Sequence, residues 1–162
     1  MIVRDETRLD VSAVMQVVIT AFDQAAEAEL VDTLRESGDM VISLVAEDEG
    51  EIIGHVLFSK LQAPDKCIAL APLSVKPSRQ NQGIGSRLIR EGLARAKLDG
   101  WQAVFVLGEP EYYERFGFST AIVDNFETKY PKPYFMALEL TPHSLSERSG
   151  AVIYAPPFLA LD

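Results

Sequence analysis

Ser74-Val75-Lys76-Pro77-Ser78-Arg79-Gln80-Asn81-Gln82-Gly83-Ile84-Gly85-Ser86-Arg87-Leu88-Ile89 decides how this chain is read. The apolar run 68–75 reads as a strand, the polar residues after it as a loop, and the two glycines as the opening of an amphipathic helix. Glycine lets a backbone come close to a ligand, and the first turn of any helix leaves several N–H groups unpaired. Those amides, with the positive end of the helix dipole, suit an anion such as a pyrophosphate.

Two familiar phosphate-binding patterns do not match. A P-loop needs a lysine after its last glycine, and Ser86 follows Gly85. A dinucleotide fingerprint needs a third small residue where Leu88 stands, and it belongs to a first βα turn near the N-terminus. Gln80-x-x-Gly83-x-Gly85 instead resembles the Gln/Arg-x-x-Gly-x-Gly/Ala motif of the GNAT superfamily of N-acetyltransferases. In that family the loop amides hold the pyrophosphate of acetyl-coenzyme A. Taken singly, the hexapeptide is also compatible with a glycine-rich turn that only starts a helix.

A second segment bears on that choice. Residues 103–107 form a continuous apolar run ended by Gly108, the pattern of a buried strand. Pro110 suits the first position of a short helix and Gly117 its end. Tyr113-Glu-Arg-Phe-Gly-Phe118 resembles the Tyr-x-x-x-Gly-Phe signature that follows the fifth strand of the same family. Two family motifs in the right order, separated by a helix and a strand, make a specific pair.

Composition sets the frame. The chain has 162 residues, 48% hydrophobic and 24% charged, the balance of a globular protein built as one domain over 1–162. No apolar run approaches the roughly 18 residues needed to span a membrane, and the acidic N-terminus does not read as a signal peptide. The single cysteine, Cys67, suits a reducing compartment, so a cytoplasmic location is expected. A net charge of −9 disfavours nucleic acid as a partner and favours a cationic amine, although solubility alone accounts for such a charge.

Periodicity and punctuation predict strands at 1–4, 41–47, 51–61, 67–75, 103–107, 134–140 and 151–154. Helices are predicted at 11–22, capped by Asp10, at 25–36, stopped by Gly38, and from Gly83 to Gly100. The order is α/β (α+β-like) with a mixed, largely antiparallel sheet flanked by helices. It resembles the acyl-CoA N-acyltransferase fold of small single-domain bacterial GNAT proteins, in which the fourth and fifth strands splay apart. Residues 141–162 match no core motif, and their expected role is either to cover the sheet or to contact a second subunit in a homodimer.

The resemblance implies acetyl transfer from acetyl-coenzyme A to a primary amine by direct attack in a ternary complex. It assigns Leu73, Ser74 and Val75 to the pantetheine arm, with the Val75 N–H as oxyanion donor. Pro72 just upstream is expected at a bulge, because proline cannot complete a ladder. Gln80, Asn81, Gln82, Gly83, Ile84, Gly85 and Ser86 would meet the pyrophosphate. Tyr113 is the expected general acid, since a phenol of pKa about 10 is protonated at neutral pH; a packing role is its alternative, and Tyr112 is the weaker candidate.

The base is not fixed. Glu109 leads, followed by Glu29 on the second helix, with surface roles as their alternatives. His55 is a further candidate base, with a hydrogen-bonded structural histidine as the favoured reading; His143 reads as a loop residue and Cys67 as a small buried hydrophobe. Two histidines and one cysteine, far apart, offer no metal site. A non-catalytic acyl-coenzyme A sensor is the second functional reading, and the acceptor amine carries no motif.

Overall fold

Residues 52–59 are buried without a break, a pattern that a half-exposed strand cannot have. Helices cover both faces of the sheet at that point. In the computed structural model, which describes residues 1–161, this stretch is β3 (Glu51–Lys60), joined to β2 (Met40–Asp48) by a two-residue turn. Glu49 and Gly50 both have positive φ (50° and 78°), as such tight hairpins require.

Six strands form one sheet in the order β1 (Ile2–Asp5), β2, β3, β4 (Cys67–Val75), β5 (Ala103–Leu107) and β7 (Phe135–Glu139). All neighbours are antiparallel except β4 and β5. The remaining strands, β6 (Phe126–Glu127) and β8 (Gly150–Ala151), pair apart from it. The sequence pattern missed β6 and placed the last strand at 151–154. Two residues per strand are too few to show alternation, and beyond Ala151 only Ile153 bridges, to Ala63.

One face carries α1 (Val11–Phe22) and α2 (Ala26–Ser37), whose Val14, Val18, Val31 and Leu34 are fully buried. The other carries α3 (Ile84–Leu98), where Leu88 and Ile89 are equally buried. Gly92 lets α3 lie close to the sheet, for a Cβ there would sit 2.3 Å from the Phe58 ring. Gly38 ends α2 in the left-handed conformation (φ 81°), the stop expected of it.

Asp10 precedes α1 as expected but does not cap it through its side chain. Its carboxylate accepts from the Thr7 N–H (2.7 Å) and from the Arg4 guanidinium (2.7 and 2.9 Å). The hydrogen bond from Arg4 outweighs partial burial and holds this carboxyl well below the usual range. A stronger local partner has taken the oxygens that a cap would use.

His55 sits in β3 with no exposed surface, its Nε2 2.8 Å from the Ser43 Oγ. Burial pushes the imidazole down to about 3, and the charge of Arg35 adds to the shift. The unfolded chain therefore takes up a proton near pH 6.5 that the folded chain refuses until about pH 3. Unfolding free energy should fall on acidification from pH 6.5, by at most about 1.4 kcal/mol per pH unit from this group. Urea melts at pH 6.5, 5.8 and 5.2 check this, and a His55→Asn variant should lack the slope.

Candidate functional site

The site begins where the sheet comes apart. β4 and β5 pair only at Cys67, Ile68 and Ala69, opposite Ala103, Val104 and Phe105. Beyond Ala69 the strands diverge. The cause lies in the β3 ladder, where Val56 faces Leu73 while Phe58 faces Leu70. Three steps on β4 thus answer two on β3, a bulge at Ala71 and Pro72. Pro72 has no N–H to give to a ladder.

Backbone alternation then directs the groups past the bulge. The Lys76 N–H donates to the Ile53 carbonyl (2.9 Å), so that residue and Ser74 face β3. Leu73 and Val75 point their N–H and C=O groups the other way, into the gap that β5 has left. The Val75 carbonyl is taken by the Gln80 amide (3.2 Å). A bound molecule can pair with the rest.

The gap leads to a groove at the start of α3. Gly83 adopts φ 81° and Asn81 φ 64°, which turns the loop so that the helix starts abruptly at Ile84. The Arg87 N–H makes the first helical bond, to the Gly83 carbonyl, leaving the Ile84, Gly85 and Ser86 amides without an intrahelical partner. Gln80, Asn81, Gly83, Ile84, Gly85 and Ser86 line the groove. The Gln80 backbone N–H is already bonded to the Pro77 carbonyl (3.4 Å), so its contribution is the side-chain amide that donates to Val75.

Two groove residues were not foreseen. Arg79 lines it while donating to Asp48 (2.8 Å) and Gln82 (3.2 Å), and Arg115 lines it with its guanidinium 4.7 Å from the Tyr112 ring centre. Gln82, expected to meet the pyrophosphate, is exposed, accepts from Arg79 and does not line the groove. In a chain with nine more acidic than basic residues, Arg115 and the Asp48-paired Arg79 lie beside unpaired amides, an arrangement that suits an anion.

At its other end the groove meets a cavity of about 770 Å³. Leu73 and Tyr112 line both. The cavity passes between the diverging strands, with Leu70 to Leu73 on one side and Leu107 on the other. Val75 lines the groove only.

Tyr113 enters this cavity from α4 (Pro110–Glu114). The Tyr112 and Tyr113 amides both donate to the Glu109 carbonyl (3.1 Å each), which fixes the turn. The Tyr113 ring lies against Gly108, where a Cβ would come within 2.4 Å of it. It also packs edge-on to Tyr112 and Phe118, with ring centres 5.1 and 5.7 Å away. Burial raises its pKa well above that of a free phenol, so the hydroxyl keeps its proton throughout the neutral and mildly alkaline range.

Of the carboxylates, Glu109 lines the cavity at the N-terminus of α4. Glu29 points to solvent, and Glu27 lines the cavity instead, half-buried and holding the Gln24 amide at 2.8 Å. Helical spacing contained that distinction, because Glu27 stands three and four residues before the inward Leu30 and Val31. His55 and His143 do not line it. Nor does Cys67, whose buried thiol is pushed up to about 11.

The far wall comes from the C-terminal stretch. Tyr154, Phe158 and Leu161 line the cavity beside Tyr130. Tyr154 packs edge-on against Phe158, ring centres 4.9 Å apart, and burial raises its hydroxyl far above the normal phenol range. Of the two roles open to residues 141–162, the structure shows the first: the described tail folds back against α2 and the sheet. No periodic signal announced these contacts.

Relatives carry the same architecture. Residues 11–118 match the family model described as the acetyltransferase (GNAT) family. The uncharacterized N-acetyltransferase YhbS of Escherichia coli K12 is 35% identical over 98% of this chain and 98% of its own length. A crystal structure of YhbS from E. coli in complex with coenzyme A superposes with a TM-score of 0.91 at 34% identity, covering 98% of this chain and 91% of that one. A GNAT-family acetyltransferase from Brucella melitensis, in complex with acetyl-coenzyme A, gives 0.83 at 36% identity, over 97% of both chains. With the family model spanning most of its length and a relative matched almost end to end, this chain belongs to the GNAT acetyltransferase family.

Proposed function

We propose that the protein transfers the acetyl group of acetyl-coenzyme A to a primary amine by direct attack, in a cytoplasmic setting. One observation carries the reading: a half-buried Tyr113 stands in the cavity entered from the gap past Ala69, and that gap meets the amide groove at Leu73 and Tyr112. The complexes of the two relatives with coenzyme A and acetyl-coenzyme A support the choice of donor.

The pyrophosphate is assigned to the Ile84, Gly85 and Ser86 amides, with Asn81 and Gly83 shaping the turn and Arg79 and Arg115 adding charge. Gln80 and Gln82 support that loop through Val75 and Arg79. The pantetheine arm is assigned to the outward backbone of Leu73 and Val75, with Ser74 tying the strand to β3. Leu73, common to groove and cavity, lies nearer the reaction than Val75. Its N–H is therefore the better oxyanion donor, a contribution worth roughly 10²–10³ in rate.

The incoming ammonium loses a proton to Glu109, directly or through water, and its nitrogen attacks the thioester carbonyl carbon. The C–N bond forms as the C–S bond breaks. Tyr113 gives its phenolic proton to the departing thiolate and recovers one from the nitrogen as the amide forms. A base near the cavity mouth and an acid buried within it divide the two proton transfers.

Tyr113→Phe should lower turnover about 10²-fold while leaving affinity for acetyl-coenzyme A nearly intact, measured as thiol release and by calorimetry. An unchanged rate removes Tyr113 from the mechanism, and binding without release for any amine favours the sensor reading. Gly108→Ala should also slow turnover, by about tenfold, because the added methyl displaces the Tyr113 ring without touching the groove. In the wild type, kcat should not decline between pH 8 and 10. A raised phenol pKa postpones loss of the acid beyond that window, whereas a tyrosine at its ordinary value would titrate within it.

A further inference from the structure

The cavity beyond Tyr113 is larger than an acetyl group requires, and its lining is uneven. Phe22, Leu30, Leu107, Phe158 and Leu161 supply apolar surface, joined by Leu70 to Leu73 and by four tyrosines. Among its described lining residues the charged ones are Glu27 and Glu109, both acidic. A highly hydrated polycation finds few partners on such a wall, since each added ammonium or hydroxyl gives up water for carbon. An amine on an apolar body finds carboxylates for the ammonium and carbon for the remainder.

We infer that the acceptor is a primary amine borne on an apolar body about the size of an aromatic ring, such as an arylalkylamine, rather than a polyamine or an aminoglycoside. The inference rests on the acetyltransferase reading and adds the acceptor class to it. Phe22, at the exposed end of α1, and Leu161 bound the pocket for the body. The ammonium is held at the acidic side, where Glu109 lies next to the Tyr112 and Tyr113 turn.

The test uses the full chain and measures kcat/KM by thiol release from acetyl-coenzyme A. The acceptors are methylamine, propylamine, pentylamine, phenethylamine, spermidine and kanamycin. Coenzyme A binding is followed separately by calorimetry. Each added methylene should raise kcat/KM about fourfold until the pocket fills, with phenethylamine at least tenfold above spermidine and kanamycin. Phe22→Ala should flatten that slope and cost phenethylamine about tenfold, with coenzyme A affinity within twofold of wild type.

A flat series, or a preference for either polycation, overturns the inference and leaves acetyl transfer standing. The same holds if hexanoyl-coenzyme A outruns acetyl-coenzyme A on methylamine, for then the cavity takes the acyl chain. Coenzyme A binding with no release from any of these amines overturns the acceptor class while sparing the cofactor groove. Loss of coenzyme A binding itself is the distinct failure that removes the underlying function.

Discussion

The molecule depends on a broken strand pairing. Parallel β4 and β5 share only three aligned residue pairs, and the bulge at Ala71 and Pro72 turns the rest of β4 away. An interrupted ladder leaves backbone groups that need partners. Here the cost is concentrated at Leu73 and Val75, which face the gap that β5 leaves. A continuous sheet at this point would be more stable and would have no entrance.

Everything around the gap is arranged to use it. Below, α3 starts with three unpaired amides beside Arg79 and Arg115, an anion site on an otherwise acidic chain. Above, Gly108 gives Tyr113 room to lie at the edge of β5, and burial keeps its hydroxyl protonated. The groove and the cavity meet at Leu73 and Tyr112, so an elongated thioester can span both. The sheet and α3 approach closely at Gly92, against the Phe58 ring. The end of α1 and the tail line the part of the cavity where the acceptor is assigned.

Much of this was legible in the sequence because it is local. The cradle needs positive φ at Gly83 and a helix start just after it, and both requirements are written within a few adjacent residues. The same holds for Pro110 at the start of α4 and for the proline at the bulge. Long alternating or continuous apolar runs located the main strands within one or two residues. What stayed hidden is what depends on distant partners. Asp10 turned to Arg4 instead of capping, Arg115 reached the groove from the next motif, and Tyr154 and Phe158 closed the cavity from the end of the chain. Glu27 is the intermediate case, since the helical period favoured it over Glu29 without saying what lay opposite.

The most direct measurement is a crystal structure of this chain with acetyl-coenzyme A. The account predicts the pyrophosphate on the Ile84, Gly85 and Ser86 amides, the arm along the outward backbone of Leu73 and Val75, and the thioester sulfur within about 3.5 Å of the Tyr113 hydroxyl. An arm that bypasses the gap between β4 and β5, or a sulfur too far from Tyr113 for one water to bridge, would contradict it.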